Sequence, residues 1–256
     1  MGRVHKGVAL FERLDLMRLF GPHFEAEPTL DLRPPERIED PAEIEFALAW
    51  RPGQEAFTPY PNLRAVFSIA AGTDGITASR SLPRDIPLIR LRDPDQALQM
   101  AGFAVFQVLW HHRGMADLIA AQARHEWARR AGGASPARRC IGILGLGFMG
   151  RQIARSLVAL GYPVTSLTRH PPDPEPGVTH LTQNRRAAFL AGTDILINVL
   201  PMTPETRGLL DRALFDALPR GHPFWDHPKI LVTPHIAGEA EAAAVVENVR
   251  REMEAL

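Results

Sequence analysis

Between Cys140 and Arg169 the chain reads CIGILGLGFMGRQIARSLVALGYPVTSLTR. Gly145, Gly147 and Gly150 form G-x-G-x-x-G, with Leu146, Phe148 and Met149 between them. An apolar strand pattern runs directly into the motif and an amphipathic helix pattern runs directly out of it. The order matters physically. Gly145 permits a tight turn, Gly147 lets backbone approach a pyrophosphate, and Gly150 lets the helix pack close to the strand. The helix N-terminus then offers unpaired N–H groups and partial positive charge to phosphates. A bare G-x-G-x-x-G also fits a glycine-rich turn without ligand; the strand–turn–helix–strand setting selects the dinucleotide reading.

Cofactor choice is read about 20 residues further on, where NAD sites carry Asp or Glu for the ribose hydroxyls. Here stand Thr168, Arg169 and His170, with no acid before Asp173. A hydroxyl and a guanidinium suit a 2′-phosphate, which Arg grips through two N–H groups. NADP is therefore expected ahead of NAD, the plain alternative being that Arg169 is a solvated loop residue.

The remainder of the 256 residues allows one large domain or two small ones. Formal net charge is zero, so nothing in it suggests a nucleic-acid or acidic-membrane partner, both of which favour a basic surface. Cys140 is the only cysteine, so neither an internal disulfide nor a Cys-based metal cluster is available. The N-terminal stretch lacks the apolar core and cleavage site of a signal peptide. No apolar run reaches the about 18 residues of a spanning helix. A cytoplasmic protein is the default expectation.

Along the chain, strand patterns fall at Val8–Phe11, Thr29–Leu32, Phe46–Trp50, Ala65–Ile69 and Leu88–Leu91. A helix is expected over Glu12–Phe20, stopped by Gly21 and Pro22. Together these predict a small parallel α/β unit over residues 1–92. Asp93-Pro94 reads as an N-cap acid and a first-turn proline, opening a helical region to about Ala131 with a break near Gly114. A second α/β series follows. Its strands are Ile141–Leu144, Val164–Leu167, a weaker Val178–Leu181, Ile195–Val199 and Ile230–Thr233. Its helices are Gly150–Leu160, Arg185–Ala191 and Glu205–Leu218, and a last helix covers Glu239–Ala255. Just past the Ile230–Thr233 strand stand Pro234 and His235, where α/β folds place chemistry.

Two longer stretches, NVLPMTPETRGLL (198–210) and FWDHPKILVTPHIAG (224–238), resemble the D-isomer-specific 2-hydroxyacid dehydrogenases, and within them the glyoxylate/hydroxypyruvate reductase A branch. LAWRP, LRAVFSIAAGTDGI and IPLIRLRD in the first unit resemble the same branch, so the likeness runs from about Val8 to Glu247. It implies a Rossmann-type doubly wound parallel sheet domain, residues 93–238, inserted in a smaller flavodoxin-like α/β substrate domain, residues 1–92 plus 239–256. It implies reduction of a small 2-oxo acid such as glyoxylate or hydroxypyruvate by NAD(P)H, in a cleft where substrate and cofactor meet. It also implies a homodimer formed through the helical region 94–131.

Site residues follow from the resemblance one at a time. His235 matches the catalytic histidine that protonates the carbonyl oxygen; a histidine titrates close to working pH. Gly72 and Thr73 match the loop whose backbone N–H groups bind the substrate carboxylate. Trp50 and Arg51 match a strand end lining the substrate site, although Trp50 would serve equally as core packing. Leu200, Pro201 and Thr206 match positions around the ribose and nicotinamide; otherwise Pro201 only ends a strand.

The chain also departs from the family. Between Pro219 and Phe224 relatives carry a further strand, helix and strand of roughly forty residues, the size of a βαβ module. Those strands bear an Asn-x-x-Arg-Gly motif, whose Arg polarises the carbonyl, and an Asp-Val-Phe-x-x-Glu-Pro motif, whose Glu pairs with the histidine. Neither motif occurs here. Their loss argues against efficient turnover and leaves a cofactor-binding remnant as the alternative. A last strand moving in beside Ile195–Val199 would heal the sheet, shifting His235 by about 10 Å at the usual strand spacing.

Overall fold

The computed structural model describes residues 3–70, 72–128, 135–170, 173–211, 237–238 and 240–256. They form two compact units. One comprises the N-terminal segment to Asp95, Pro201–Thr203 and the segment from Ala240; the other comprises Gln96–Leu200 and the residues from Pro204 to Glu239.

The first unit is built on a five-stranded parallel sheet. Its strands are β1 (His5–Phe11), β2 (Leu30–Arg33), β3 (Phe46–Trp50), β4 (Ala65–Ser68) and β5 (Leu88–Arg90). They lie in the order β2-β1-β3-β4-β5, the flavodoxin-like arrangement. The central strands are covered on both faces, which explains their unbroken apolar runs. On one face, helices α1 (Leu16–Glu25) and α7 (Ala242–Ala255) pack Leu16, Phe20, Phe24, Val245, Val249 and Met253 against Phe46, Leu48 and Phe67. On the other, Phe57, Tyr60, Leu63 and Ile76, the last from the short helix α2 (Asp74–Thr77), cover Val8, Leu10, Ala47 and Val66. Each fully buried Val, Leu, Phe or Met contributes about 1.5–3 kcal/mol.

Helix α1 differs from the sequence expectation at both ends. It starts later because the Asp15 carboxylate accepts the Arg18 N–H at 3.0 Å, making Asp15 the N-cap. It also runs through Gly21 and Pro22 to Glu25. An interior proline costs about 3 kcal/mol, but stopping before it would leave Phe24, 1% exposed, without its place in the core.

The second unit holds a four-stranded parallel sheet of β6 (Ile141–Leu144), β7 (Val164–Thr168), β8 (Val178–Thr182) and β9 (Ile195–Asn198), in the order β8-β7-β6-β9. Helices α5 (Phe148–Ala159) and α6 (Arg186–Ala191) link the strands. The chain reaches this unit through α3 (Pro94–His112) and α4 (Met115–Ala123), separated by Gly114. Helix therefore stops at Ala123 rather than near Ala131. The expected helix Glu205–Leu218 is not formed over its described part, where residues 204–208 make a turn. Gly208 has φ +72°, outside the right-handed helical region, and ends any helix there. The expected strand Ile230–Thr233, with its pairing beside β9, lies outside the described residues.

Asp93, only 2% exposed, sits where the first unit is interrupted. Its Oδ1 accepts the Asp95 N–H at 2.9 Å, as the N-cap reading of Asp93-Pro94 requires, and its Oδ2 accepts the Glu241 N–H at 3.0 Å.

Candidate functional site

In the second unit the chain leaves β6 at Leu144 and enters α5 at Phe148. Gly145 turns it with φ +94°, a conformation that favours glycine. Gly147 is the N-cap of α5, with no side chain capping the helix and no acid in its first turn. The first-turn N–H groups are thus left to a ligand or solvent. A Cβ added at Gly147 would meet nothing within 4 Å, so this face of the turn is open. A Cβ at Gly150 would fall 2.1 Å from the Gly145 carbonyl oxygen, so helix and turn touch backbone to backbone. Leu146 is buried beneath the turn, while Phe148 is exposed and Met149 partly so. These residues fit a dinucleotide pyrophosphate: an open, uncapped helix start on a turn held at contact distance.

Leu200 lies on the same side, its Cδ2 3.1 Å from where a Gly145 Cβ would be. Its N–H donates to Asn198 Oδ1 at 3.3 Å. Thr168 ends β7 and donates its hydroxyl to the His170 carbonyl at 2.7 Å. Arg169 reaches Glu205 at 3.9 Å, with both side chains 61% exposed. Such a pair holds little energy, so Arg169 is free to exchange Glu205 for a phosphate. Thr206 sits in the 204–208 turn beside Glu205. Pro201 belongs to the short segment grouped with the first unit.

The β7–β8 loop carries an ion cluster that motif reading missed. Glu175 is 5% exposed. It accepts from Arg155 Nε at 2.7 Å and Nη2 at 3.0 Å, and from Arg151 Nη1 at 3.1 Å. These bonds, Arg155 foremost, hold its carboxyl below the usual glutamate range. Its own N–H donates to His180 Nε2 at 3.2 Å. That leaves the His180 proton on Nδ1, which donates to Ser166 Oγ at 2.9 Å. Helix α5 therefore clamps the loop that follows Arg169. The available signal was two arginines four apart on one helix face, with two acids, Asp173 and Glu175, in the Pro-rich loop.

In the first unit, Trp50 ends β3, and Arg51 follows with φ +44°. A left-handed arginine costs about 1–3 kcal/mol and is held by its surroundings. Its guanidinium lies 5.7 Å from the centre of the Trp50 ring. Gly75 makes room for its stem: a Cβ there would be 2.6 Å from Arg51 Cγ. Gly72 and Thr73 lie past the carboxyl end of the neighbouring strand β4. Buried Ser68 fixes this loop, donating to the Gly72 carbonyl at 2.9 Å and accepting from the Ala70 N–H at 3.2 Å. Gly75 and Ser68 lie in the LRAVFSIAAGTDGI stretch, but nothing in its pattern gave either of them a role. His235 lies outside the described residues. Among the described residues there is no group of three His, Cys, Asp or Glu able to hold a metal.

A sequence profile of the D-isomer specific 2-hydroxyacid dehydrogenase NAD binding domain matches residues 105–222. The glyoxylate/hydroxypyruvate reductase A of Serratia proteamaculans is 31% identical, over 85% of this chain and 84% of its own. The chain belongs to the D-isomer-specific 2-hydroxyacid dehydrogenase family. A family member from Xanthobacter autotrophicus, solved in complex with NADPH and MES, is 28% identical with a TM-score of 0.87, covering 99% of this chain and 96% of that one. The NADPH-dependent glyoxylate/hydroxypyruvate reductase of Sinorhizobium meliloti, in complex with NADP and sulfate, is 25% identical with a TM-score of 0.83, covering 98% and 94%. The Serratia alignment is 264 positions long yet takes in 85% of a 256-residue chain, so it contains gaps on this side. Among the described residues no helix is long and apolar enough to cross a membrane.

Proposed function

We propose that this dehydrogenase binds NADP(H) and reduces a small 2-oxo acid of the glyoxylate or hydroxypyruvate type, with turnover weakened by its missing motifs. The observation that carries the reading is the Gly145–Gly150 cradle, whose uncapped helix start suits a pyrophosphate. Thr168 and Arg169 would hold the 2′-phosphate, and Leu200, Pro201 and Thr206 would line the ribose and nicotinamide. When bound, the nicotinamide supplies the hydride. Backbone N–H groups at Gly72 and Thr73 would take the substrate carboxylate, with Trp50 and Arg51 beside them. His235 would give the proton to the carbonyl oxygen.

The weakening follows from chemistry. Without the Asn-x-x-Arg-Gly arginine, charge developing on the carbonyl oxygen loses a donor, an effect worth about 10²–10³ in kcat elsewhere. Without the Glu, His235 loses the partner that would orient its ring. Gaps on this side of the alignment support the reading. The experiment pairs NADPH binding, read by fluorescence, with glyoxylate-dependent NADPH oxidation. Binding is expected in the micromolar range, with turnover at least about 100-fold below that of a relative bearing both motifs. Arg169→Ala should weaken NADPH by about tenfold and leave NADH unchanged. Absence of NADPH binding would defeat the proposal; binding with no turnover would favour the cofactor-binding remnant.

The same reading includes a homodimer through α3 and α4. Leu98, Phe106, Leu109, Leu118 and Ile119 are exposed on these helices. An apolar surface of this kind is a liability unless covered. Light scattering should give twice the 28.3 kDa chain mass, and Phe106→Glu with Ile119→Glu should give the single chain. A wild-type monomer would rule the dimer out.

A further inference from the structure

The first unit has a cavity of about 470 Å³ between edge strand β5 and helix α7. It is lined by Leu88, Ile89, Arg90 and Arg92 on one side and by Asn248, Arg251 and Glu252 on the other. Its volume falls within the range of small-molecule sites. Its charge is unbalanced. Arg251 is paired with Glu252 at 2.8 Å, whereas the side chains of Arg90 and Arg92 have neither ion pair nor hydrogen bond among the described residues. Two guanidinium groups are thus left without counter-charge beside one cavity.

Asn248 supplies the second, independent observation. It is 6% exposed, and its side-chain amide has no hydrogen-bond partner among the described residues. Its amide atoms are not sealed off, since the buried side-chain polar atom without a partner among the described residues is Gln96 Oε1; the Asn248 amide is left to meet solvent or a ligand. An apolar residue would serve a helix face packed on a sheet better, as Val245 and Val249 do on the same helix. The little surface Asn248 keeps opens on the cavity, so its natural partner is whatever occupies that space.

We propose that this cavity binds a small dianion, a phosphate-bearing molecule or a dicarboxylate, gripped by Arg90 and Arg92 and hydrogen-bonded by Asn248. Arginine forks match both anions through paired N–H donors, and a dianion neutralises the two unpaired guanidinium groups. The site is independent of the dinucleotide reading, since every residue lining it lies in the other unit.

Calorimetry on the full chain tests it, with inorganic phosphate and malonate as probes against chloride at equal ionic strength. The wild type is expected to bind at least one of them, and the two probes tell the two anion classes apart. Arg90→Gln with Arg92→Gln should weaken that binding by at least about tenfold, with an unchanged circular dichroism spectrum and unchanged NADPH affinity. Asn248→Leu, which fills the same space with an apolar group, should weaken the anion while raising the melting temperature. The control Arg169→Ala should leave it unaltered. Failure of both probes to bind the wild type, or equal affinity in wild type and the double arginine variant, would overturn the proposal.

Discussion

Gly150→Ala is expected to abolish NADPH binding and to lower the melting temperature. The new Cβ would lie 2.1 Å from the Gly145 carbonyl oxygen, 3.1 Å from its carbon and 3.3 Å from Val199 Cγ2. The first two are backbone atoms, so no side chain can swing aside. Either α5 backs away from β6 or the Gly145 turn is rebuilt, and both destroy the cradle. Overpacking of this kind costs about 1–3 kcal/mol, sometimes more, and each kcal/mol lowers the melting temperature by roughly 2–4 °C in a chain of this size. Gly147→Ala provides the contrast. Its Cβ meets nothing and its φ of −78° suits any residue, so the melting temperature should hold. NADPH binding should still fall, because the methyl occupies the face offered to the pyrophosphate. A Gly150→Ala protein that bound NADPH normally would sink the cradle assignment.

Glu175→Ala is expected to release the loop between β7 and β8 and to cost about 1–2 kcal/mol, a drop of roughly 2–8 °C. Removing the carboxylate leaves Arg151 and Arg155 without their shared acceptor; Arg155, more than half exposed, recovers hydration, and Arg151 at 23% recovers less. The pH dependence has a definite sign. Because the folded carboxyl is held low, chiefly by Arg155, its stabilisation is fully present above the unfolded glutamate value of about 4.3. It is lost as pH falls through the lower folded value. Acid unfolding of the wild type should therefore steepen below about pH 4, and Glu175→Ala should flatten that limb. Parallel acid limbs in the two proteins would mean that the cluster carries no stability.

The parts of this molecule legible in its sequence are those fixed by local geometry. The β6–α5 junction was readable because its three glycines each answer a constraint within ten residues. The central strands were readable because burial on both faces writes continuous apolar runs. The end of α1 was not, since Pro22 is a local stop signal overruled by burial of Phe24. The helix expected at Glu205 has the right periodicity but contains Gly208, whose left-handed backbone decides otherwise. Glu175 meets its arginines across 20 and 24 residues, and Ser68 acts on a loop through its hydroxyl. Neither follows from a pattern of spacing. The apolar runs Phe46–Trp50 and Ala65–Ile69 put Trp50, Arg51, Gly72 and Thr73 at strand ends, but a substrate role for them was legible only through family resemblance, because turns of this kind are common in α/β chains.

The two bonds of Asp93 have a consequence for how this architecture tolerates change. One carboxylate holds the chain where it departs from the first unit, at Asp95, and where it has just returned, at Glu241. The two cut ends of the host are thus tied at a single buried point, like a loop drawn closed at its neck. A change of length within 96–200 or 204–239 leaves that neck, and the core of α1, α7 and β1–β5, with the same attachments. Residues can be lost from the guest without the host registering the loss in its own packing. A chain of this design can keep the packing of its first unit through changes of length elsewhere.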